Sequence, residues 1–230
     1  MTTLAVDIGG GSIKALALDD QGAPVTETLA QPTPAPATPD AVFTVIQHMA
    51  DTLPPHRRAS VGFPGVMKDG VAHNAPNLGD DLWRGVQVSE RLTHLLQRPV
   101  RAVNDADLQG LGVVRGGGVE LVMTLGTGMG AALFTDGVLV PNLELGHHPW
   151  RDGQSYEDLV RDSELKRIGP VEWTARVLSA IEQLAPIFNY DTLHLGGGNV
   201  RHLQGELPEN VRVFSLAEAL RGALKLWDGA

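Results

Sequence analysis

Apolar and polar positions in the first twenty residues predict two strands joined by a short turn. Residues 3–8 and 14–18 are apolar runs rich in residues that favour β-structure. Between these runs stand three consecutive glycines, Gly9 to Gly11, bracketed by Asp7 and Lys14. Because glycine loses much backbone entropy when it is fixed, this run needs a geometric reason. We expect a tight hairpin turn, or a turn whose backbone N–H groups also approach an anion.

The rest of the chain alternates between the periodicities of strands and helices. Further strands are predicted at 23–30, 59–65, 100–105, 191–198 and 211–214. Helices are predicted at 39–53, 86–97, 106–114, 156–166, 171–188 and 215–226, the last one capped by Ser215. The proline-rich stretch 31–39 predicts an extended surface connector. This alternation indicates an α/β protein.

One layout occurs twice along the chain. "AVDIGGGSIKALALDDQG" (5–22) and "VMTLGTGMGAALFTDG" (122–137) both read as strand, glycine-rich turn, strand and polar turn, with Thr124 corresponding to Asp7 and Thr127 to Gly10. A single pair of repeats about half a chain apart indicates two similar lobes rather than a solenoid. We therefore predict an N-terminal α/β lobe over 1–103, joined by a C-terminal helix at 215–230, and a C-terminal α/β lobe over 104–214.

Composition excludes several classes of function. The chain has 230 residues, of which 43% are hydrophobic and 20% charged, as in ordinary globular proteins. A formal net charge of −9 argues against a nucleic-acid binder. No apolar run approaches the roughly 20 residues of a membrane span, and no signal-peptide pattern is visible. The absence of cysteine excludes disulfides, thiolate zinc sites and cysteine nucleophiles. We expect a cytoplasmic protein that binds neither nucleic acid nor membranes.

The two glycine turns are candidates for binding a phosphate chain. Paired turns can hold phosphates from both sides through backbone N–H donors, and Lys14 adds a positive charge. Asp7 would then hold Mg²⁺ through water rather than directly. Neither turn is a Walker loop, because the chain contains no G-x-x-x-x-G-K-[ST] motif. The residues of this candidate site are Gly9, Gly10, Gly11, Ser12 and Lys14 in the first turn and Gly126, Thr127 and Gly128 in the second.

Six short motifs occur in an order that resembles the ROK-family sugar kinases. They are "DIGGGSIK", "GFPG", "NDAD", "LGTGMGAALF", "PNLELGHH" and "LGGG", and they span residues 7–198. Within the family, "GGGSIK" and "LVPNLELGHH" are most similar to the polyphosphate glucokinase branch. The resemblance implies the actin/hexokinase/Hsp70-like fold, with two actin/ribonuclease H-like lobes and a cleft between them. It also implies a homodimer that transfers a phosphoryl group from polyphosphate and/or ATP to the 6-hydroxyl of glucose.

The resemblance assigns a role to residues of each motif. Asp105 in "NDAD" would be the general base, although helix capping is an alternative that we assign only to Asp107. The pair Glu144 and His147 in "ELGHH" would contact the sugar, and their spacing places them on one side of a helix-like segment. Residues implied as further sugar contacts are Asn77, Asn104 and Glu157, with Gly65 shaping the pocket. Gly197 and Gly198 are implied on the side of the phosphoryl donor.

One departure from the family concerns zinc. Many ROK proteins carry a cysteine-rich zinc loop after the E-x-G-H motif, whereas this chain continues with "HPWRDGQSYEDL". We therefore expect no zinc.

The donor and the acceptor remain open at this point. Polyphosphate would need a basic track, for which the candidates are Lys14, Lys68, Arg84, Arg101 and Arg115. ATP would need a slot for its base near residues 196–199. The alternatives are an ATP-dependent ROK kinase for another hexose and a non-catalytic sugar-binding ROK-like protein. A ROK repressor would place a helix-turn-helix before the first strand, where this sequence has none.

Overall fold

A computed structural model describes residues 2–228, which form two compact α/β units. Among these residues, unit 1 comprises 2–112 and 217–228, and unit 2 comprises 113–216. No helix within the described range is both long and apolar enough to cross a bilayer.

Strands and helices alternate along the chain, as predicted. The strands are β1 (Thr2–Ile8), β2 (Ser12–Leu18), β3 (Leu29–Pro32), β4 (His56–Phe63), β5 (Met67–Lys68), β6 (Val71–Ala72), β7 (Val100–Asn104), β8 (Val119–Leu125), β9 (Met129–Thr135), β10 (Val138–Val140), β11 (Pro149–Arg151), β12 (Gln154–Ser155), β13 (Thr192–Gly196) and β14 (Val211–Val213). The helices are α1 (Pro39–Thr52), α2 (Asp80–Trp83), α3 (Val88–Leu96), α4 (Asp105–Val113), α5 (Tyr156–Val160), α6 (Asp162–Phe188), α7 (Leu216–Leu220) and α8 (Gly222–Lys225). Two short 3₁₀ turns lie at Leu145–His147 and Val200–His202.

The main sheets of the two units have the same topology. The strand order is β3-β2-β1-β4-β7 in unit 1 and β10-β9-β8-β13-β14 in unit 2. In each sheet the first three strands are antiparallel, and the last two run parallel to the central strand. The central strands β1 and β8 are buried over almost their whole length, which explains why their sequences are largely apolar. The repeat seen in the sequence therefore corresponds to two lobes of one fold.

Each unit has its own apolar core. In unit 1, Trp83 is fully buried between Phe43 and Phe63, with ring centroids 5.6 and 4.9 Å away. In unit 2, the long helix α6 packs the fully buried Trp173 into the core beside strands β8 and β13. Aromatic residues contribute large buried areas, so these two tryptophans make major contributions to the apolar contacts.

The strand predicted at 23–30 is wrong. Asp19 accepts hydrogen bonds from the backbone N–H groups of Gln21 and Ala23, at 2.9 and 2.8 Å, which favours a turn. The strand begins only at Leu29 and runs into the proline-rich stretch that predicted a connector. Pro32 is tolerated because β3 is an edge strand.

Two predicted helices are divided. The helix predicted at 156–166 is interrupted at Arg161, whose ψ of 163° is extended, so that α5 ends and α6 begins there. The helix predicted at 215–226 is split at Arg221 into α7 and α8. Such interruptions leave the apolar periodicity intact, and for that reason the sequence pattern does not reveal them.

The boundary between the two units lies at the end of α4. The structure keeps α4 up to Gly112 with unit 1, whereas the predicted lobe boundary lies between residues 103 and 104. The C-terminal segment contributes to unit 1, although residues 1, 229 and 230 of the predicted lobe lie outside the described range. Helices α4 and α8 approach at backbone distance: a Cβ added at Gly222 would lie 1.9 Å from the carbonyl oxygen of Leu108.

This approach predicts that Gly222→Ala destabilises the protein by about 2 kcal/mol, because a side chain there must push two helices apart. Urea unfolding followed by circular dichroism measures the change. Gly117→Ala is the matched control, since an added Cβ at that position meets no atom within 4 Å. Equal midpoints for the two variants would contradict the close packing of α4 and α8.

Candidate functional site

The first glycine turn is a tight connection between β1 and β2. The Gly9 N–H donates to the carbonyl of Ser12 over 3.0 Å, and a Cβ at Gly9 would lie 2.9 Å from that oxygen. Thr33 holds the turn from β3's side: its hydroxyl donates to the Gly9 carbonyl over 2.6 Å, and its N–H donates to the Gly11 carbonyl over 3.2 Å. The close approach of Ser12 explains why position 9 is glycine.

A buried carboxylate precedes this turn. Asp7 pairs with Lys14 across the β1–β2 ladder, and Lys14 Nζ lies 4.0 Å from Asp7 Oδ2. Gln109 on α4 donates to Asp7 Oδ1 over 3.4 Å. Burial raises the pKa of Asp7, whereas Lys14 and Gln109 act in the opposite direction. Ionisation of Asp7 therefore depends on nearby positive charge. Gln109 was not predicted from the sequence, although it lies four residues after Asp105 on the same helix.

The "NDAD" motif forms the junction between β7 and α4. Asn104 Oδ1 accepts the backbone N–H groups of Ala106 and Asp107, at 2.9 and 3.1 Å, and thereby caps α4. Asn104 Nδ2 donates to the Gly65 carbonyl over 3.2 Å. Asp107 is the third residue of α4 and is buried, and its predicted role as a helix cap stays a prediction. The contact of Asn104 with a sugar stays a prediction.

Asp105 is the first residue of α4 and is half-buried. Its Oδ1 accepts the backbone N–H of Ala106 over 2.8 Å. Both this hydrogen bond and the positive end of the helix dipole favour a carboxylate at this place. The side chain is thus held in a defined orientation, as a proton acceptor needs, and its assignment as general base stays a prediction.

The loop after β4 depends on a second asparagine. Asn74 Oδ1 accepts the Val66 N–H over 2.7 Å, and a Cβ at Gly65 would lie 2.3 Å from the Asn74 carbonyl oxygen. Only glycine fits at position 65. Asn77, which the resemblance assigned to the sugar, lies exposed in the turn before α2. The role of Asn74 was not predicted from the sequence.

The two turns of unit 2 that were predicted to bind the phosphoryl donor lie against each other. Residues 126–128 connect β8 to β9, and the Gly126 N–H donates to the Gly128 carbonyl over 3.0 Å. Gly197 follows β13 with a φ of 91°, and a Cβ there would lie 2.2 Å from the Leu125 carbonyl oxygen. The turn at 196–199 therefore contacts the turn at 125–128 through the backbone itself.

The three predicted sugar contacts of unit 2 are close together. His147 Nε2 lies 3.4 Å from Glu144 Oε2 across the 3₁₀ turn, which confirms that the spacing brings the two side chains to one side. Glu157, in the first turn of α5, accepts the Met129 N–H with its Oε2 over 2.9 Å. Burial raises the pKa of Glu144, His147 opposes this shift, and the Glu157 carboxylate adds to it.

A hairpin and an aromatic pair position this cluster. Strands β11 and β12 follow the E-x-G-H motif, with Asp152 and Gly153 at φ 54° and 74° in the connecting turn. Trp150 stacks on Tyr156 with centroids 4.9 Å apart and planes 8° apart. Helix α5 begins with a capping box formed by Ser155 and Asp158. These contacts fix the start of α5 and hence the position of Glu157.

One candidate of the predicted basic track has a structural role. Arg101 donates to the carbonyl of Leu226 over 2.7 Å and lies 4.4 Å from the ring centroid of Trp227, so it fixes the C-terminal segment to unit 1. Its assignment to the track stays a prediction. Lys68, Arg84 and Arg115 are exposed.

Residues 3–153 match the sequence model of the ROK family, and the chain belongs to this family. The polyphosphate glucokinase of Mycobacterium leprae (strain TN) is 33% identical over 220 residues, covering 88% of this chain and 65% of that protein. The chain thus spans slightly less than two thirds of that relative. The polyphosphate glucokinase of Mycobacterium tuberculosis (strain ATCC 25618 / H37Rv) is 31% identical over 211 residues, covering 85% of this chain and 76% of that protein.

Solved structures confirm the predicted fold class. The inorganic polyphosphate/ATP-glucomannokinase of Arthrobacter sp. strain KM superposes with a TM-score of 0.88 at 30% identity, covering 98% of each chain. A ROK family glucokinase from Streptomyces griseus, solved with glucose and AMPPNP, shares the fold with a TM-score of 0.83 at 19% identity, covering 98% of this chain and 99% of that one.

The raised pKa of Glu144 predicts that Glu144→Gln stabilises the protein near pH 7. A carboxylate whose pKa is higher in the folded state than in the unfolded state reduces stability once it ionises. The gain should disappear as the pH falls below the ordinary glutamate pKa of 4.5, where the group is protonated in both states. Urea unfolding between pH 4 and 7 measures this difference, with the exposed Glu206→Gln as control. A gain that is independent of pH would contradict this origin.

Proposed function

We propose that the chain is a glucokinase that transfers a phosphoryl group from inorganic polyphosphate and/or ATP to the 6-hydroxyl of glucose. The observation that carries this proposal is the orientation of Asp105, whose carboxylate is held by the Ala106 N–H at the start of α4. The proposal draws further support from the Arthrobacter protein, whose name gives it both donors, and from the mycobacterial polyphosphate glucokinases.

Asp105 is the proposed general base. It accepts the proton of the 6-hydroxyl while the oxygen attacks the terminal phosphorus and the bond from phosphorus to the donor's bridging oxygen breaks. The displaced phosphate oxygen leaves with the electron pair of that bond. Because the transition state is loose, orientation matters more than strong basicity, and a carboxylate is sufficient. Asn77, Asn104, Glu144, His147 and Glu157 are the proposed ligands of the sugar hydroxyls.

The glycine turns and Lys14 are proposed to bind the phosphates of the donor. Backbone N–H groups and a lysine stabilise the charge of a transferring phosphoryl group. The buried carboxylate of Asp7 fits Mg²⁺, which keeps several waters and takes its other ligands from substrate phosphates. Within residues 2–228, no group of three or more His, Asp or Glu side chains could by itself hold a metal ion. Bound Mg²⁺ would neutralise phosphate charge, while Asp7 would orient its waters.

The proposal predicts that purified protein with Mg²⁺ forms glucose 6-phosphate from glucose and at least one of the two donors. Side-by-side kcat/KM values for ATP and long-chain polyphosphate, at low and high ionic strength, identify the preferred donor. A polyanion bound at many phosphates loses affinity more steeply with salt than ATP does. No product from either donor with glucose and several other hexoses would contradict the proposal and favour a non-catalytic sugar-binding protein.

The role of Asp105 predicts that Asp105→Asn lowers kcat by roughly 10²–10⁴-fold, because the amide keeps the shape and cannot accept the proton. Glucose affinity, measured by calorimetry, should survive. Asp51→Asn, an exposed change at the end of α1, is the control. Turnover close to that of the wild type would show that Asp105 only helps to begin the helix.

A second candidate is an ATP-dependent ROK kinase for another hexose. The N-acetylmannosamine kinase of Escherichia coli (strain SE11) is 33% identical over 148 residues, covering 61% of this chain and 50% of that protein. The same assay with N-acetylmannosamine and mannose distinguishes this candidate from a glucokinase. The homodimer and the cytoplasmic location stay predictions.

A further inference from the structure

The carbonyl groups of the second glycine turn are held by two neighbouring segments of unit 2. The Asn199 backbone N–H donates to the Leu125 carbonyl over 3.0 Å, and Asn199 Nδ2 donates to the Gly126 carbonyl over 3.1 Å. The Asp162 N–H, at the start of α6, donates to the same Gly126 oxygen over 2.9 Å. Since a carbonyl oxygen has two lone pairs, these two donors satisfy the Gly126 oxygen.

Two hydrogen bonds on one carbonyl fix the peptide between Gly126 and Thr127. In a trans peptide the N–H points opposite to the C=O, so the Thr127 N–H is directed away from Asn199 and Asp162. Thr127 is exposed, and a Cβ added at Gly126 would meet no atom within 4 Å. The turn therefore has an open side and a backbone donor whose direction is fixed by its neighbours, as anion binding requires.

Asn199 is well placed to maintain this arrangement. Only 6% of the residue is exposed, so water competes weakly for its hydrogen bonds. The preceding Gly197 brings the two turns into backbone contact, with a φ of 91° that glycine adopts at little cost. The segment 196–199 thus acts on the turn at 125–128 through both close packing and two directed hydrogen bonds.

We propose that Asn199 is a positioning residue for the phosphoryl donor. It holds the 126–127 peptide so that the turn presents its N–H groups to the donor's phosphates, whether the donor is polyphosphate or ATP. This inference rests on the proposed kinase function. It differs from the sequence-based assignment of residues 196–199 to the base of ATP, because a contact with the base would affect ATP alone.

Asn199→Ala tests the inference. For each phosphoryl donor that the wild type uses, the variant should have a kcat/KM about tenfold lower, and the factor should be the same for polyphosphate and ATP. This magnitude is expected for the loss of one net hydrogen bond. The glucose Kd, measured by tryptophan fluorescence without a donor, should not change. Asn210→Ala, an exposed change before β14, is the matched control and should leave all of these values unchanged. If Asn199→Ala does not fold, Asn199→Ser serves instead. The serine side chain is one bond shorter than that of asparagine, so it too loses the hydrogen bond to the Gly126 carbonyl.

Amide hydrogen exchange gives a readout that does not depend on activity. The Gly126 and Met129 N–H groups are hydrogen-bonded, to Gly128 and Glu157, and both should exchange at least several-fold faster in Asn199→Ala. The Leu121 amide in the middle of β8 should keep its rate. A faster rate at all three amides would indicate a general loss of stability.

The outcomes separate the inference from its alternatives. A loss with ATP alone, in a protein that uses both donors, would overturn it in favour of a contact with the base. Unchanged kinetics and exchange, or a weakened glucose Kd with faster exchange throughout, would also overturn it. If the wild type transfers no phosphoryl group, the proposed kinase function fails and this donor role fails with it, whereas the exchange rates still report whether Asn199 holds the turn.

Discussion

The antiparallel pairing of a buried central strand with its neighbour, through a glycine turn, is the constraint on which both units depend. In unit 1 the ladder sets Asp7 opposite Lys14, and in unit 2 it sets Thr124 opposite Gly130. Because each central strand is buried on both faces, its register cannot slip without exposing apolar side chains. The turns at the strand ends are therefore fixed by the packing of the sheets, and the polar residues around them take their positions from that packing.

The candidate sites combine ionisable groups with surroundings that disfavour their charge. Asp7 is buried beside one lysine, and Glu144 is half-buried next to a second carboxylate, Glu157. Both have a raised pKa, which means that the folded protein loses some stability by keeping them ionised. Perturbed groups of this kind are concentrated at functional sites, because burial and neighbouring charges adjust their pKa values to binding and catalysis. At these residues, the burial that suits a binding site thus lowers the stability of the folded protein.

The sequence predicted the α/β class, the two lobes and most element positions, since strand and helix periodicities are strong in this chain. It placed residues 23–30 in a strand, whereas Asp19 forms side-chain hydrogen bonds to the backbone and directs the chain into a turn. Motifs named Asp105, Glu144 and His147, but Asn74 was missed, and residues 196–199 were assigned to the base of ATP without the hydrogen bond from Asn199 to Gly126. Both asparagines act on backbone groups of other loops, eight and 73 residues away in sequence. Such contacts leave no periodic signal, and neither does the role of Arg101 against Trp227.

Unit 1 is discontinuous in sequence: it comprises residues 2–112 and 217–228, and the intervening residues 113–216 form unit 2. During synthesis the ribosome therefore releases all of unit 2 before the last segment of unit 1 becomes available. Unit 2 can fold as a continuous chain. In unit 1, Ser60 and Arg101 can form their hydrogen bonds only when the last segment is present, because their partners are Ala223, Leu226 and Trp227. Unit 1 can reach its final packing only after residues 217–228 have been synthesised, and a nascent chain that stops before them lacks the residues that contact α4.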